Sequence, residues 1–373
     1  MNAVVTWTEA GESRYARWRT EGGAPAPRRV VIADDRLRAD AAYRLASEGT
    51  ALLWRGDFQN ARQLLQAMAR RIDRKPCKAA ASPTEAFHFY RQAQSQRART
   101  LGMLLLPLEA DYSIPLRRAP NVKVACAEAY GVGGEPSIVS LRELLGVIGA
   151  HEWRKKGVDI PALGGRIHPH YGVFSPVRGE YLNLINEAPL PSSKLAFDIG
   201  TGTGVLAAVL ARRGVGHVIA TDQDPRALAC ARENIKRLGL AGRVELVEAD
   251  LFPQGRAPLI VCNPPWLPAR ANSPLEHAIY DPDSRMVLGF LNGLAVHLEP
   301  GGEGWLILSD LAEHLGLRSR EWLLAAFDRA GLEVVERMDT RPTHPRASDA
   351  SDPLHAARAA EVTSLWRLAA RNA

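Results

Sequence analysis

From Lys194 onward, short apolar runs alternate with amphipathic stretches of helical period in a regular rhythm. The runs Lys194–Ile199, His217–Thr221, Val244–Glu248, Pro258–Cys262, Gly304–Leu308, Leu332–Met338 and Val362–Leu368 read as strands. Between them, Val205–Arg213, Pro225–Leu238, Arg285–Leu298 and Arg320–Ala330 read as helices. Alternating β and α units of this length predict a doubly wound α/β fold whose parallel sheet is covered on both faces. In such sheets ligands sit at the carboxyl ends of the strands, beside the point where strand order reverses.

Upstream the pattern is less regular. Arg29–Ala33 reads as a strand, and Ala41–Ala46 and Asn60–Ile72 read as helices, the latter with Ala61, Leu64, Leu65, Met68 and Ile72 at helical spacing. An additional N-terminal α/β or helical domain follows from this. Between residues 159 and 176, Pro161, Gly164, Gly165, Pro169, Gly172 and Pro176 mark a connector or a substrate-facing loop. The expected division is a basic N-terminal domain over 1–160, which either grips the substrate or only stabilises its neighbour, and a catalytic domain over 161–373.

At 373 residues, with 46% hydrophobic and 24% charged, the chain has the length and apolar content for two domains with buried cores. No apolar run approaches the roughly 20 residues that a membrane span needs, and the N-terminus lacks the basic-then-apolar layout of a signal peptide. A cytoplasmic protein with no membrane contact is expected. Cys77, Cys126, Cys230 and Cys262 stand far apart without a C-x-x-C pair, so neither a disulfide framework nor a metal site is expected. The net charge of +6 is unevenly placed: residues 1–193 hold 27 Lys+Arg against 19 Asp+Glu, and residues 194–373 hold 20 against 22. Residues 51–100 carry 10 basic and 3 acidic side chains, which suit either a phosphate-tracking surface or a solvated arginine-rich helix face.

The segment Asp198-Ile199-Gly200-Thr201-Gly202-Thr203-Gly204 ends a strand and opens a helix. Its glycines allow a tight turn and close approach to a ligand. Dinucleotide folds prefer G-x-G-x-x-G and offer the helix terminus to a pyrophosphate, whereas the acidic Asp198 suits the cationic amino-acid end of S-adenosylmethionine. Asp222, at the end of the next strand, is placed to accept hydrogen bonds from ribose hydroxyls, which fits a nicotinamide dinucleotide and S-adenosylmethionine equally, and Asp250, past the third, either accepts from an adenine amino group or caps the next turn. The fourth strand ends in Asn263-Pro264-Pro265-Trp266. A planar amide or nucleobase nitrogen has a delocalised lone pair and attacks a methyl sulfonium poorly until it is held. The Asn263 side-chain oxygen and the Pro264 carbonyl can accept its two hydrogens, Pro265 stiffens the loop, and Trp266 offers a flat stacking face.

These residues resemble the class I methyltransferase superfamily and, within it, the N-P-P-[YFW] branch, over about Phe174–Leu368. That branch includes release-factor glutamine methyltransferases and RNA and DNA base N-methyltransferases. The resemblance implies a seven-stranded, mostly parallel Rossmann-like sheet and S-adenosylmethionine as cofactor. It implies cofactor contacts from Asp198, Gly200, Thr201, Gly202, Gly204, Asp222, Gln223, Asp250, Leu251 and Asn263, with Asn263, Pro264, Pro265 and Trp266 acting on the acceptor. Upstream, Gly172–Glu180 is similar to the V-L-I-P-R-P-x-T-E segment of the glutamine enzymes, which puts Phe174 and Arg178 on the substrate side; Arg178 and Glu180 are out of step with that pattern, and Trp266 stands where Tyr is usual. His168, His170 and Tyr171 lie close by, as acceptor-pocket or solvated loop residues.

The expected activity is N-methylation of a planar nitrogen in a macromolecule, either a protein glutamine or an RNA base. The basic N-terminal half and Trp266 speak for RNA, and the Val173–Glu180 segment for glutamine. Only about 100 residues follow the N-P-P-W segment, which leaves little room there for a DNA target-recognition domain. A small-molecule amine or amide acceptor is the alternative enzyme class. A non-catalytic binding module on the same fold is the alternative outside enzymes, and hydride transfer with a nicotinamide cofactor is disfavoured by the glycine spacing.

Overall fold

The computed structural model describes residues 3–74, 78–176, 179–271, 276, 278–342 and 349–371. The chain divides into two compact units, residues 1–80 with 88–152 and residues 81–87 with 153–373.

A hairpin opens the first unit. β1 (Val4–Glu9) and β2 (Glu12–Arg19) pair antiparallel across Ala10 and Gly11, both at positive φ (52° and 82°). Two consecutive left-handed residues give the turn whose twist matches that of paired strands. Then come β3 (Arg29–Ala33), α1 (Ala39–Ser47), β4 (Thr50–Trp54), α2 (Phe58–Asp73), α3 (Pro83–Leu101), β5 (Leu104–Leu108), α4 (Lys123–Tyr130), β6 (Ser137–Ser140) and α5 (Leu141–Lys156). The strands form one sheet in the order β1-β2-β6-β5-β4-β3, so the N-terminal part is α/β. The strand expected at 29–33 is β3, and the helices expected at 41–46 and 60–72 lie within α1 and α2. The Asp57 carboxylate accepts from the Gln59 N–H and caps α2, whose Ala61, Leu64, Leu65 and Met68 are buried. In the basic stretch, Arg55, Arg71 and Arg97 are paired with Glu9, Asp40 and Asp73.

The second unit begins with the short antiparallel pair β7 (Val158–Ile160) and β8 (Gly165–Ile167), followed by α6 (Glu180–Glu187). Its main body runs β9 (Leu195–Ile199), α7 (Val205–Arg212), β10 (His217–Asp222), α8 (Pro225–Arg237), β11 (Val244–Glu248) and β12 (Ala257–Cys262). It continues α9 (Arg285–His297), β13 (Leu298–Ser309), α10 (Leu311–His314), α11 (Arg320–Arg329), β14 (Leu332–Thr340), α12 (His355–Ala360) and β15 (Thr363–Ala370). The seven strands are ordered β11-β10-β9-β12-β13-β15-β14. Those from β11 to β13 are mutually parallel, and β15 is antiparallel to both of its neighbours. This is the mostly parallel Rossmann-like sheet expected from the alternating pattern.

Side chains alternate between the two faces, as a pleated strand requires. Ala196, Leu259 and Val261 pack on one side with Tyr181 of α6, Leu206 and Leu210 of α7 and Ile235 of α8. Phe197, Ile199, Ile260 and Cys262 pack on the other with Phe290 and Leu294 of α9 and Phe327 of α11. Strand order reverses between β9 and β12, so the crevice for a ligand opens at their carboxyl ends, where Asp198–Gly204 and Asn263–Trp266 emerge. Among the described residues, no helix is long and apolar enough to cross a membrane.

Candidate active site

β9 ends in a turn with three left-handed glycines, Gly200, Gly202 and Gly204, at φ of 72°, 56° and 80°. A side chain at Gly200 would meet the Met286 methyl group at 2.5 Å, whereas the space beside Gly202 is open. Asp198 is completely buried beneath this turn. Its Oδ2 accepts from the Thr201 hydroxyl (2.6 Å) and the Ala207 N–H (3.0 Å), and its Oδ1 has no hydrogen-bond partner among the described residues. Burial pushes its pKa up to about 6 against the pull of those two hydrogen bonds.

Hydrogen bonds tie the end of β10 to the turn on one side and to the segment after β11 on the other. Thr201 N–H donates to the Thr221 carbonyl, and Gly202 N–H donates to Asp222 Oδ2 at 2.9 Å. The other Asp222 oxygen accepts from Asp224 N–H; burial raises the Asp222 pKa as well. The Thr221 hydroxyl donates to the Leu251 carbonyl at 2.6 Å, and Leu251 itself is left-handed at φ 73°. Leu251 and Phe252 press into α9 at Gly289 and Gly293, where a methyl group would lie 2.6 and 2.4 Å from their side chains. Gln223 is exposed, as is Asp250, whose carboxylate lies 3.9 Å from Arg285.

The third part is the corner after β12. Cys262 pairs with Ile199, so Asn263 leaves the sheet beside Gly200. The Trp266 indole N–H donates to Asn263 Oδ1 at 2.9 Å, and the Tyr181 hydroxyl is hydrogen-bonded to the same side chain. Burial, with Asp198 and Glu180 nearby, pushes the Tyr181 pKa far above the usual phenol range, so this hydroxyl stays protonated. Pro264 is buried, while Pro265 and Trp266 are half-buried, Trp266 packing against both hydrophobic clusters. The Trp266 carbonyl accepts from Arg318 at 3.1 Å.

The structure thus brings Asp198, the glycine turn, Asp222, Leu251 and Asn263 into one linked region at the switch point. Phe174 is partly exposed, and Arg178 lies outside the described residues. His168 and His170 sit against α8 rather than in open loop. The Asn234 side chain bonds the His168 backbone, His168 Nδ1 meets the Arg154 carbonyl at 2.6 Å, and His170 Nε2 meets Glu233 at 2.7 Å. Sequence reasoning missed Tyr181, Asp281 and Arg318. None belongs to a recognisable spacing; the sole hint was Tyr181 within the segment that follows the upstream resemblance.

Residues 165–330 match the family model described as methyltransferase small domain. The chain is 35% identical over 179 residues to the release factor glutamine methyltransferase of Cereibacter sphaeroides, covering 44% of this chain and 63% of that one. It is 38% identical over 159 residues to the ribosomal protein L11 methyltransferase of Pelotomaculum thermopropionicum, with 42% and 43% covered. Against the release factor glutamine methyltransferase of Geobacter sulfurreducens, identity is 34% over 156 residues, with 38% and 52% covered. The chain therefore spans between 43% and 63% of the length of these relatives.

Proposed function

We propose that the chain, whose residues 165–330 match the family model described as methyltransferase small domain, is an S-adenosylmethionine-dependent enzyme that methylates a side-chain amide nitrogen, that of glutamine in a protein. One observation carries this reading. Asn263 and Pro264 leave β12 beside the glycine turn, and the Asn263 amide is held by both Trp266 and Tyr181.

The residues present fit the cofactor. Asp198 keeps a buried carboxylate oxygen unpartnered, a cost that a nearby ammonium group would remove. Each Asp222 oxygen accepts one N–H and has a lone pair left for a ribose hydroxyl. Gly202 adds no side chain where the space is open, and Asp250 and Leu251 would be the residues to meet the adenine. When bound, S-adenosylmethionine supplies an electrophilic methyl group on a sulfonium that leaves as a neutral thioether.

The chain's own task is to orient the acceptor. Asn263 Oδ1, which has one lone pair left beside its bond from the Trp266 N–H, and the Pro264 carbonyl would accept the two amide hydrogens and so turn the nitrogen lone pair toward the methyl group. The proton displaced from the nitrogen would pass to solvent, so the chain need supply no general base of shifted pKa. A glutamine is favoured over a nucleobase because Trp266 packs against the core and its indole N–H is engaged by Asn263, unlike an open stacking platform. The relatives named for release factor glutamine methylation support the same choice.

The test is transfer of labelled methyl from S-adenosylmethionine to lysate of a strain lacking the gene, followed by RNase or protease. Label released only by protease, and recovered as methylglutamine after enzymatic digestion, is the expected outcome. Label released by RNase would replace glutamine with a base, and label in the small-molecule fraction would replace both.

A further inference from the structure

A side-chain amide turns freely about its last torsion, whose preference is broad. Were Asn263 to flip, it would present its NH2 group to an acceptor that also offers N–H, and donor would face donor. Something must therefore fix this plane, and the structure provides a continuous chain of contacts that does so. At one end the buried Tyr181 hydroxyl meets Asn263. In the middle the Trp266 indole N–H reaches Asn263 Oδ1. At the other end Arg318 donates from Nη2 to the Trp266 carbonyl and from Nη1 to the Ser284 hydroxyl, each at 3.1 Å.

Arg318 is unusual for an arginine in being only 7% exposed. Leu267 and Tyr280 bridge in parallel, Leu267 N–H donates to the Ile279 carbonyl, and Asp281 N–H donates to the Leu267 carbonyl. Just beyond, Asp283 and Ser284 both hold left-handed φ, 57° and 55°, without being glycine. The Asp281 carboxylate caps α9 through Met286 and Val287 N–H groups and sets its charge near Arg318. Arg318 thus joins Trp266 to Ser284, and through Trp266 it reaches Asn263.

We propose that Tyr181 and Arg318 are positioning residues that fix Asn263 and Trp266, from the two ends of this chain, in the orientation an acceptor nitrogen requires. The inference rests on the reading of Asn263 as the acceptor-holding group. Neither residue touches the acceptor itself in this scheme.

The experiment uses the full chain with S-adenosylhomocysteine as the cofactor probe and variants Tyr181→Phe, Arg318→Met and Arg318→Lys. Tyr181→Phe removes one hydroxyl and keeps the ring, so it remains informative if Arg318→Met folds poorly. In protein labelled with indole-15N tryptophan, the Trp266 resonance is assigned through Trp266→Phe. Its position should move, and its exchange with solvent quicken, in Tyr181→Phe and Arg318→Met, with Arg318→Lys intermediate. Affinity for S-adenosylhomocysteine should stay within about twofold, while methyl transfer to the lysate acceptor falls by about tenfold or more and Arg318→Lys regains part of it. A Trp266 resonance unmoved in both Tyr181→Phe and Arg318→Met overturns the proposal, as does cofactor affinity falling in step with transfer. A moved resonance in a protein whose wild type methylates nothing would uphold the positioning chain and sink the functional reading instead.

Discussion

The two halves of the candidate site are built on opposite principles. Around Asn263 the functional polar groups are tied: its side chain meets Trp266 and Tyr181, and the Trp266 carbonyl meets Arg318. Beneath the glycine turn, Asp198 is fully buried and yet leaves Oδ1 with no partner among the described residues. A satisfied network fixes orientation, and an unsatisfied carboxylate stores a demand for positive charge. The first suits a group that must aim a neutral amide; the second suits one that must attract a cationic ligand. The contrast separates geometry from affinity, and mutation should separate them too.

The largest effect is expected at the tied corner. Asn263→Ala should lower methyl transfer by about 100-fold or more, since a reacting atom displaced by an ångström already costs that much. Calorimetry with S-adenosylhomocysteine should find its affinity nearly unchanged. A parallel loss of affinity would erase the division between the two halves. Next in size is Asp222→Ala, which removes the carboxylate that organises Gly202 and Asp224. Loss of charged hydrogen bonds to a ribose should weaken S-adenosylhomocysteine by about tenfold to a hundredfold, while transfer at saturating cofactor recovers most of its wild-type rate. Should saturation fail to restore transfer, Asp222 would belong with the aiming groups.

Legibility in the sequence followed the same division. The glycine turn and Asn263–Trp266 lie at fixed places within contiguous segments, and alternation of apolar and amphipathic runs located each strand of the seven-stranded sheet. Tyr181 and Arg318 stand 82 and 55 residues from Asn263 in sequence and meet its corner only through the fold. A buried arginine carries no local mark, because its burial is decided by distant partners, here Trp266 and Ser284. Two strands of the first unit were hidden for a different reason. β4 and β5 are buried at every position as Thr-Ala-Leu-Leu-Trp and Leu-Leu-Leu-Pro-Leu, and a continuous apolar run does not declare itself strand or helix. β3, with a Val-Val-Ile core between turn residues, did declare itself.

The finest test of the contrast is pH. The Asp198 carboxyl titrates near 6 in the folded chain, against 3.8 for its ordinary value. As pH rises between these values the unfolded chain loses this proton first, so the group's contribution to stability declines. By neutral pH the loss is roughly 3 kcal/mol. Asp198→Asn lacks that titration, so its stability relative to wild type should improve from pH 4 to pH 6 and then level off, as urea unfolding would record. Cofactor affinity should move the opposite way. A cationic ligand prefers the ionised carboxylate, so wild-type affinity for S-adenosylhomocysteine, whose ammonium is present throughout, should fall by up to about tenfold per pH unit below 6. In Asp198→Asn the affinity should be weaker and flat with pH. If wild-type affinity were flat as well, the unpartnered oxygen would not be the ammonium's counter-charge, and the contrast between a tied corner and a waiting one would lose its functional meaning.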